Sequence, residues 1–488
     1  MSWDQEADLV VVGFGGAGAA ATITAHDAGG NVLVLEKAAA AEAHTPSTRM
    51  SGGAIMAVTG DLERAVKAMD ICAGGLTPIE VTRAWAVAAQ DIVAWVNNLK
   101  PGYDVIQKWG PEDPSIDGSE AVAGFGGRGR HTGYELYDAL RYAAAQRDIE
   151  VRYGAAAQRL ITDADGRVCG VACDTPDGPK RFGARRGVAL TCGGYEFNDE
   201  IKKNFLRAHP THFYGNPLNT GDGVLMAQKV GAQLWHMNGM MGRGMGHFVH
   251  PDGREMNFII MLDPMGMQYE IPPFGYIITD GHGRRFTNET PQIKGGHSFN
   301  YEMLAYDPIR REYPRIPSYA FFDERRRTTF PLTVPNLGLM RVGVYDWSAD
   351  NSQEIAHGWI SRGDTIAEAA RAAGVDDPQQ VEAELRAYNR SCETKSDPYG
   401  RPSASLVPLQ PPFYCVKLYP GGTNTLGGPR RNENAQIVDP FGDPIPGLYG
   451  AGELGGAMGA LYPAAGSSIS DALCFGRIAG RHAVLGNA

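Results

Sequence analysis

The sequence predicts an α/β protein built on a dinucleotide-binding βαβ unit and interrupted by an inserted α+β segment. Three observations predict it. Leu9–Val12 is an apolar, β-branched run, and Gly13-Phe14-Gly15-Gly16-Ala17-Gly18 follows at once, so a G-x-G-x-x-G spacing sits at a strand end. An alanine-rich helix, Ala17 to Ala28, is stopped by Gly29-Gly30 and leads into a strand, Asn31 to Leu35. That strand ends on Glu36, 18 residues after Gly18, the place of the acid that holds a ribose hydroxyl. Finally, from about residue 232 the texture changes to long loops rich in Gly, Met, Pro and aromatic residues before periodic elements resume.

Each element has its reason. Gly13 makes the tight turn, Gly15 lets the backbone approach a pyrophosphate, and Gly18 lets helix pack on strand. The helix start offers free N–H groups and partial positive charge to phosphates. Thr48-Arg49-Met50-Ser51-Gly52-Gly53 is small enough to run beside a bound cofactor, or is a plain turn. Pro78 to Asn98 carries apolar residues at helical spacing, with Trp85 and Trp95 as packing residues. Tyr134 to Arg147 is a helix that leads into a strand, Glu150 to Leu160. Gly166, Asp177 and Gly178 then punctuate a hairpin-like segment. Val188–Thr191 with Gly193-Gly194 forms a second strand-to-glycine junction, where a ligand at the carboxyl ends of the strands would meet it.

In the inserted stretch Met237, Met240, Met241 and Met245 cluster, as core filling or as a pliable pocket. Thr365–Ala373 and Pro378–Asn389 read as helices, and Ser391–Pro412 as the return linker. The closing block holds the strand Gln436–Asp439, then Leu448-Tyr-Gly-Ala-Gly-Glu453, then a helix opened by Gly466-Ser-Ser-Ile.

With 488 residues, 43% of them apolar, the chain can bury a large core in two or three domains. A net charge of -10 argues against nucleic acid or an anionic membrane surface as partner. The seven cysteines form no C-x-x-C pair and no haem attachment motif, so buried reduced thiols are expected. No apolar run approaches the roughly 18 residues of a membrane span, and a cytoplasmic protein is the expectation.

Taken together, these motifs resemble the flavoprotein family of fumarate reductase, succinate dehydrogenase and 3-ketosteroid dehydrogenases. The resemblance rests on Gly13–Gly18 with Glu36, Ser51-Gly52-Gly53, Thr191–Gly194, Thr220-Gly221-Asp222-Gly223, Gly283-Arg-Arg-Phe-Thr-Asn-Glu289, and Gly450-Ala-Gly-Glu453 with the terminal helix start. It implies a Rossmann-like FAD-binding domain, residues 1–231 and 408–488, with an inserted α+β capping domain, residues 232–407. It also implies non-covalent FAD, because His44 stands farther from Gly52 than the covalent pattern of succinate dehydrogenases requires. The cofactor residues so implied are Gly13, Gly15, Gly16, Ala17, Gly18, Glu36, Lys37, Thr48, Ser51, Gly52, Gly53, Ala157, Gly193, Asp222, Glu453, Ser468 and Ile469. Glu36 is expected on the adenosine ribose, Glu453 on the ribityl chain, and the Ser468-Ile469 helix start at the flavin pyrimidine.

The sequence departs from the fumarate branch where the substrate is held. Asn424-Thr-Leu-Gly-Gly stands for that branch's histidine segment, Ile293 for its proton-donating arginine, and Gly459–Gly466 for its arginine segment near the C-terminus. Tyr462-Pro-Ala-Ala-Gly466 instead resembles the Y-P-G-A-G segment of ketosteroid Δ1-dehydrogenases. There the tyrosine hydroxyl and the glycine N–H hold the substrate ketone oxygen. The resemblance implies desaturation of a cyclic ketone, a 3-ketosteroid or a smaller oxocyclohexane. Ketosteroid enzymes place a tyrosine where this chain has Ile293, so the base for the α-proton is expected instead from the same cap loop, at Tyr301 or His297. Lys294 is a further polar neighbour. With no second glycine fingerprint, electrons pass to an external acceptor: oxygen, a quinone or a carrier protein. Reduction of an activated double bond is the alternative.

Overall fold

The computed structural model describes residues 2–40, 46–129, 132–262, 274–290, 297, 299–335, 337–459 and 461–486. The chain divides into two compact units. The first holds Met1–Leu206, Gly215–Met240 and Asn424–Ala488, and the second holds Arg207–Tyr214 and Met241–Thr423.

The first unit is organised by β1 (Gln5–Val12), α1 (Gly16–Asp27), β2 (Val32–Glu36), β3 (Glu150–Tyr153), β4 (Ala156–Thr162), β5 (Val168–Thr175), β6 (Gly178–Leu190), β7 (Gln436–Val438), β8 (Pro444–Gly450) and α2 (Ser467–Leu485). The sheet order is β7-β8-β6-β1-β2-β3, with β4 on β5 and β5 on β6. Strands β8, β6, β1, β2 and β3 are mutually parallel. Val10, Val11, Val34 and Ala189 are wholly buried, the near-continuous apolar character of strands covered on both faces. β6 is long enough to serve two partners on one edge, β5 along residues 178–183 and β8 along residues 188–190.

Helix α2 lies on α1. A Cβ on Gly476 would fall 2.4 Å from the Ala17 carbonyl oxygen, and one on Gly480 would fall 2.1 Å from that of Ala21. Glycine on one helix and alanine on the other are what allow the backbones so close.

Two expected elements divide. Pro78–Asn98 is two helices, Ile79–Ala89 and Ile92–Asn97, because the first ends at Gln90. Glu150–Leu160 is two strands, β3 and β4, because Gly154 takes a φ of +70° between them. The stretch after residue 232, read as long loops, also contains strands, among them the hairpin Met245–Val249 with Glu255–Ile259. Its glycines and methionines masked the alternation that marks them.

The second unit centres on an antiparallel four-stranded sheet in the order Tyr276–Thr279, Ser318–Asp323, Phe413–Leu418, Ser361–Gly363. Period-2 alternation splits its side chains between two cores. Tyr276, Ile278, Phe322, Tyr414 and Val416 join an aromatic cluster with Trp347 and Trp359. Ile277, Tyr319, Phe321, Phe413 and Cys415 pack with residues of the helices Ile366–Ala373 and Pro378–Thr394. The first of those helices starts on a Thr365–Glu368 capping box and stops at Gly374, φ +84°. The second starts on Asp377 with Pro378 in its first turn and runs to Thr394, into the segment read as linker. Strand pairing explains why the units part where they do. Leu234–Trp235 pairs with Gly428–Pro429 inside the first unit, whereas Phe413–Leu418 lies in the sheet of the second.

Candidate active site

In the first unit the glycine turn is held from several sides. Gly13 has φ +97°, and a Cβ there would meet the Thr191 carbonyl at 2.7 Å. A Cβ on Gly18 would fall 1.9 Å from the Gly13 carbonyl oxygen. Gly15 is different, since a Cβ there would come no nearer than 3.4 Å to any neighbour. The Thr191 hydroxyl donates to the carbonyls of Val12, at 2.8 Å, and Gly13, at 2.9 Å, and so ties the second glycine junction to the first.

The N–H groups expected to be free at the helix start are partly engaged. Gly16 N–H donates to Thr48 Oγ1 at 2.9 Å, and Phe14 N–H donates to Glu36 Oε2 at 2.7 Å. Glu36 Oε1 accepts from Ala38 N–H at 2.8 Å. Glu36 is thereby fixed at the turn, and a carboxylate with about four acceptor positions keeps capacity for ribose hydroxyls. Lys37 and Asp222 bind each other, Nζ to Oδ2 2.8 Å, with Thr220 Oγ1 also 2.8 Å from Nζ. Ser51 Oγ donates to Thr48 O and accepts from Gly53 N–H, which shapes the Ser51-Gly52-Gly53 turn. Ala17 and Ala157 are buried. Gly193 has φ +79°, and a Cβ there would strike the Asn219 amide.

Sequence reasoning missed the polar cluster around Glu453. Asn219 Nδ2 donates to Glu453 Oε2 at 2.9 Å and lies 3.2 Å from Ser47 Oγ. Glu196 Oε1 accepts from Thr425 N–H and Thr425 Oγ1. Burial, and then the neighbouring Glu196 carboxyl, push the Glu453 carboxyl well above the ordinary carboxylate range. Glu453 Oε1 is buried with no partner. Glu196 stands two residues after Gly194, and Asn219 one residue before the Thr220 motif, but nothing in the spacing ties either of them to Glu453.

FAD passes a test of fit here. The open Cβ position at Gly15 leaves room for a pyrophosphate against the backbone, Glu36 is positioned for a ribose, and the orphaned Glu453 oxygen calls for a hydroxyl donor such as a ribityl chain supplies.

At the start of α2, Gly466 has φ +91°, and a Cβ there would fall 2.3 Å from Ala54 C and Ile55 N, so only glycine fits. Its N–H donates to the Tyr462 hydroxyl oxygen at 3.2 Å. The Ser468 hydroxyl donates to Asn424 Oδ1 at 3.1 Å, while Asn424 Nδ2 turns back to the Thr425 carbonyl at 2.9 Å. Ile469 is half-buried. Below this turn Asp471 is paired with Arg431 at 2.6 and 2.8 Å, both buried.

In the second unit, His297 is 7% exposed, and its Nε2 lies 3.1 Å from Arg243 Nη2. Tyr301, on the short helix Phe299–Met303, has 42% of its surface exposed, yet desolvation around its hydroxyl still raises the phenol pKa. His44, Ile293 and Lys294 lie outside the described residues.

The described cysteines form no disulfides. Burial pushes the thiols of Cys173, Cys192 and Cys474 up to about 12. Among the described residues no helix is long and apolar enough to cross a membrane, and no group of His, Cys, Asp or Glu could hold a metal ion.

A family model described as an FAD binding domain matches residues 8–469. The chain is 27% identical to the probable fumarate reductase Ifc3 of Shewanella frigidimarina over 98% of its own length and 75% of that protein's. It is 31% identical to the 3-oxosteroid 1-dehydrogenase of Mycobacterium tuberculosis strain H37Rv over 62% of its own length, and there it spans about half of the relative, 54%. Among solved structures, the 3-ketosteroid Δ1-dehydrogenase of Sterolibacterium denitrificans, in complex with 1,4-androstadiene-3,17-dione, has the same fold. Its TM-score is 0.83 at 21% identity, covering 98% of this chain and 99% of that one.

Proposed function

The chain belongs to the FAD-binding family of flavin-dependent oxidoreductases, which holds ketosteroid dehydrogenases and fumarate reductases, and from this premise we propose that it desaturates a cyclic ketone beside the carbonyl. The substrate is a 3-ketosteroid or a smaller oxocyclohexane. The observation that carries this reading is the meeting of the Tyr462 hydroxyl and the Gly466 N–H at the start of α2. Both are donors, and a ketone oxygen that gains enolate charge as the α-proton leaves is what such a pair serves. To receive it, Gly466 N–H exchanges the tyrosine oxygen for the ketone oxygen while the tyrosine O–H turns to the same atom. The positive end of α2 favours the charge that develops there.

FAD, bound non-covalently, supplies the acceptor for the β-hydride. For the α-proton the candidate bases are Tyr301 and His297, and of the two the tyrosine is favoured. A guanidinium has only donors, so His297 Nε2 spends its lone pair on Arg243, and a proton placed there would meet a cation. Desolvation of the Tyr301 phenol means that the step it serves gains from alkaline pH. Reduction of an activated double bond would use the same donors in reverse, and the likeness to Ifc3 over nearly the whole chain supports that second reading.

Tyr462→Phe tests the proposal, because it removes one hydroxyl and little volume. Stopped-flow anaerobic flavin reduction by a 3-ketosteroid and by a monocyclic ketone should slow by roughly 10²–10³, the effect of one lost oxyanion donor, with FAD content unchanged. A variant that bleaches as fast as the parent would leave Tyr462 as a packing residue and remove the reading's main support.

A further inference from the structure

We propose that His236 is a positioning residue of the first unit, which as the Nδ1–H tautomer clamps the Gly456 carbonyl and so fixes the segment that leads to Tyr462 and Gly466. The clamp stands on the contacts within that unit; its service to a ketone oxygen rests on the ketone reading.

Three carbonyls in a row are held by side-chain donors. Trp235 Nε1–H donates to Gly455 O at 3.2 Å, His236 Nδ1 lies 3.0 Å from Gly456 O, and the hydroxyl of buried Thr77 donates to Ala457 O at 2.9 Å. Ala457 N–H donates in turn to Asp471 Oδ1 at 3.3 Å. Backbone groups pair mostly with other backbone groups, so three side chains spent on adjacent carbonyls hold one segment in one place. Farther on, a Cβ on Gly459 would fall 2.0 Å from Ala73 Cα, and Leu461 N–H donates to Cys72 O at 3.1 Å. This segment joins Glu453, expected on the ribityl chain, to the Tyr462 and Gly466 donors.

His236 is the costly member of the set. Its backbone is left-handed, φ +52°, a conformation that few residues other than Gly, Asn and Asp adopt. Such outliers persist where their surroundings impose them, and they gather at functional sites. The imidazole stacks on the Trp235 ring, centroids 4.5 Å apart and planes 9° from parallel, which carries the two N–H groups side by side to consecutive carbonyls. A carbonyl only accepts, so Nδ1 carries the proton. Nε2 is buried with no partner, and burial pushes the imidazole below the ordinary histidine value, so the ring is neutral at neutral pH. Oxyanion donors act by waiting in the position where charge will develop. Tyr462 and Gly466 can do so only if the segment behind them does not shift.

Two amide variants test the clamp. His236→Asn puts an N–H on the atom that corresponds to Nδ1 and tolerates the left-handed backbone, whereas His236→Gln puts it one bond farther out, toward the place of Nε2. Hydrogen exchange over Gly455–Met458, read by mass spectrometry on holoenzymes with matched FAD, should stay near the parent in His236→Asn. It should quicken about tenfold or more in His236→Gln and His236→Ala. Flavin bleaching at saturating 3-ketosteroid should follow the same order, near the parent in His236→Asn and roughly 10–100-fold slower in the other two. A ring that merely filled space would reverse the order, since glutamine matches its bulk better than asparagine. The clamp is overturned if His236→Gln preserves exchange as well as His236→Asn does, if His236→Asn behaves like His236→Ala, or if His236→Ala leaves exchange unchanged. Should His236→Ala fail to fold, the Asn–Gln comparison decides. Exchange in the expected order with no ketone bleaching the parent sinks the desaturase reading alone, whereas bleaching of the parent with exchange unmoved in every variant sinks the clamp alone.

Discussion

Glu196 and Glu453 each keep one buried oxygen without a donor, and the two side chains are within hydrogen-bonding reach of each other. Burial, and then the neighbouring Glu196 carboxyl, favour the protonated form of Glu453. The pH consequence has a definite sign. Glu453 binds its proton more tightly folded than unfolded, so its contribution to stability is fully present below the ordinary carboxyl value of 4.5 and is lost as pH rises toward the elevated one. Thermal unfolding should therefore come earlier at about pH 8 than at about pH 5.5. Glu196→Gln replaces the second acid by an amide that can donate, and should flatten that part of the slope. An unchanged slope in the variant would mean that Glu196 does not raise the Glu453 carboxyl.

Among elements, α2 carries the most. Its first turn presents Gly466, its body lies on α1, and its second turn is fixed by the Arg431–Asp471 pair, with Arg431 4.0 Å from the centre of the Phe475 ring. Burial raises the Asp471 carboxyl even though Arg431 opposes the shift, a sign of how dry the pair is. Asp471→Ala would leave a guanidinium buried and uncompensated, and denaturant unfolding should register a loss of about 3–5 kcal/mol. A loss under 1 kcal/mol would mean that water reaches Arg431. The sequence made α2 legible through Gly466, and β1, α1 and β2 through their glycines and apolar runs. These are local signals, set by backbone conformation and close packing. Glu196 and Asn219 were not legible because their role depends on approaching Glu453 across more than two hundred residues of chain, which no spacing rule reports. Lys37 and Asp222 were read as separate cofactor contacts, and it took the fold to show that they bind each other.

For the whole molecule the question is which anions it admits. The chain carries a net charge of -10, and the resemblance puts the fumarate branch's cations at Tyr462, by the start of α2, and at Asn424, whose amide is turned to backbone. A dicarboxylate finds no cation at Tyr462 or Asn424, two of the residues that stand in for that branch's own. Dithionite-reduced enzyme mixed with fumarate under argon should not reoxidise faster than a buffer blank. Rapid reoxidation would restore the dicarboxylate reading.

The close contact of α2 with α1 also orders the protein's biosynthesis. α1 is complete at Asp27, yet the surface that covers it is not translated until Leu485, 458 residues later. At about 5–20 residues per second that interval is roughly 20–90 s. Until then the Gly476 and Gly480 face that packs on Ala17 and Ala21 is incomplete, and β6 lacks its β8 edge until Gly450 is made. The nucleotide-binding half of the molecule thus emerges from the ribosome first and is finished last.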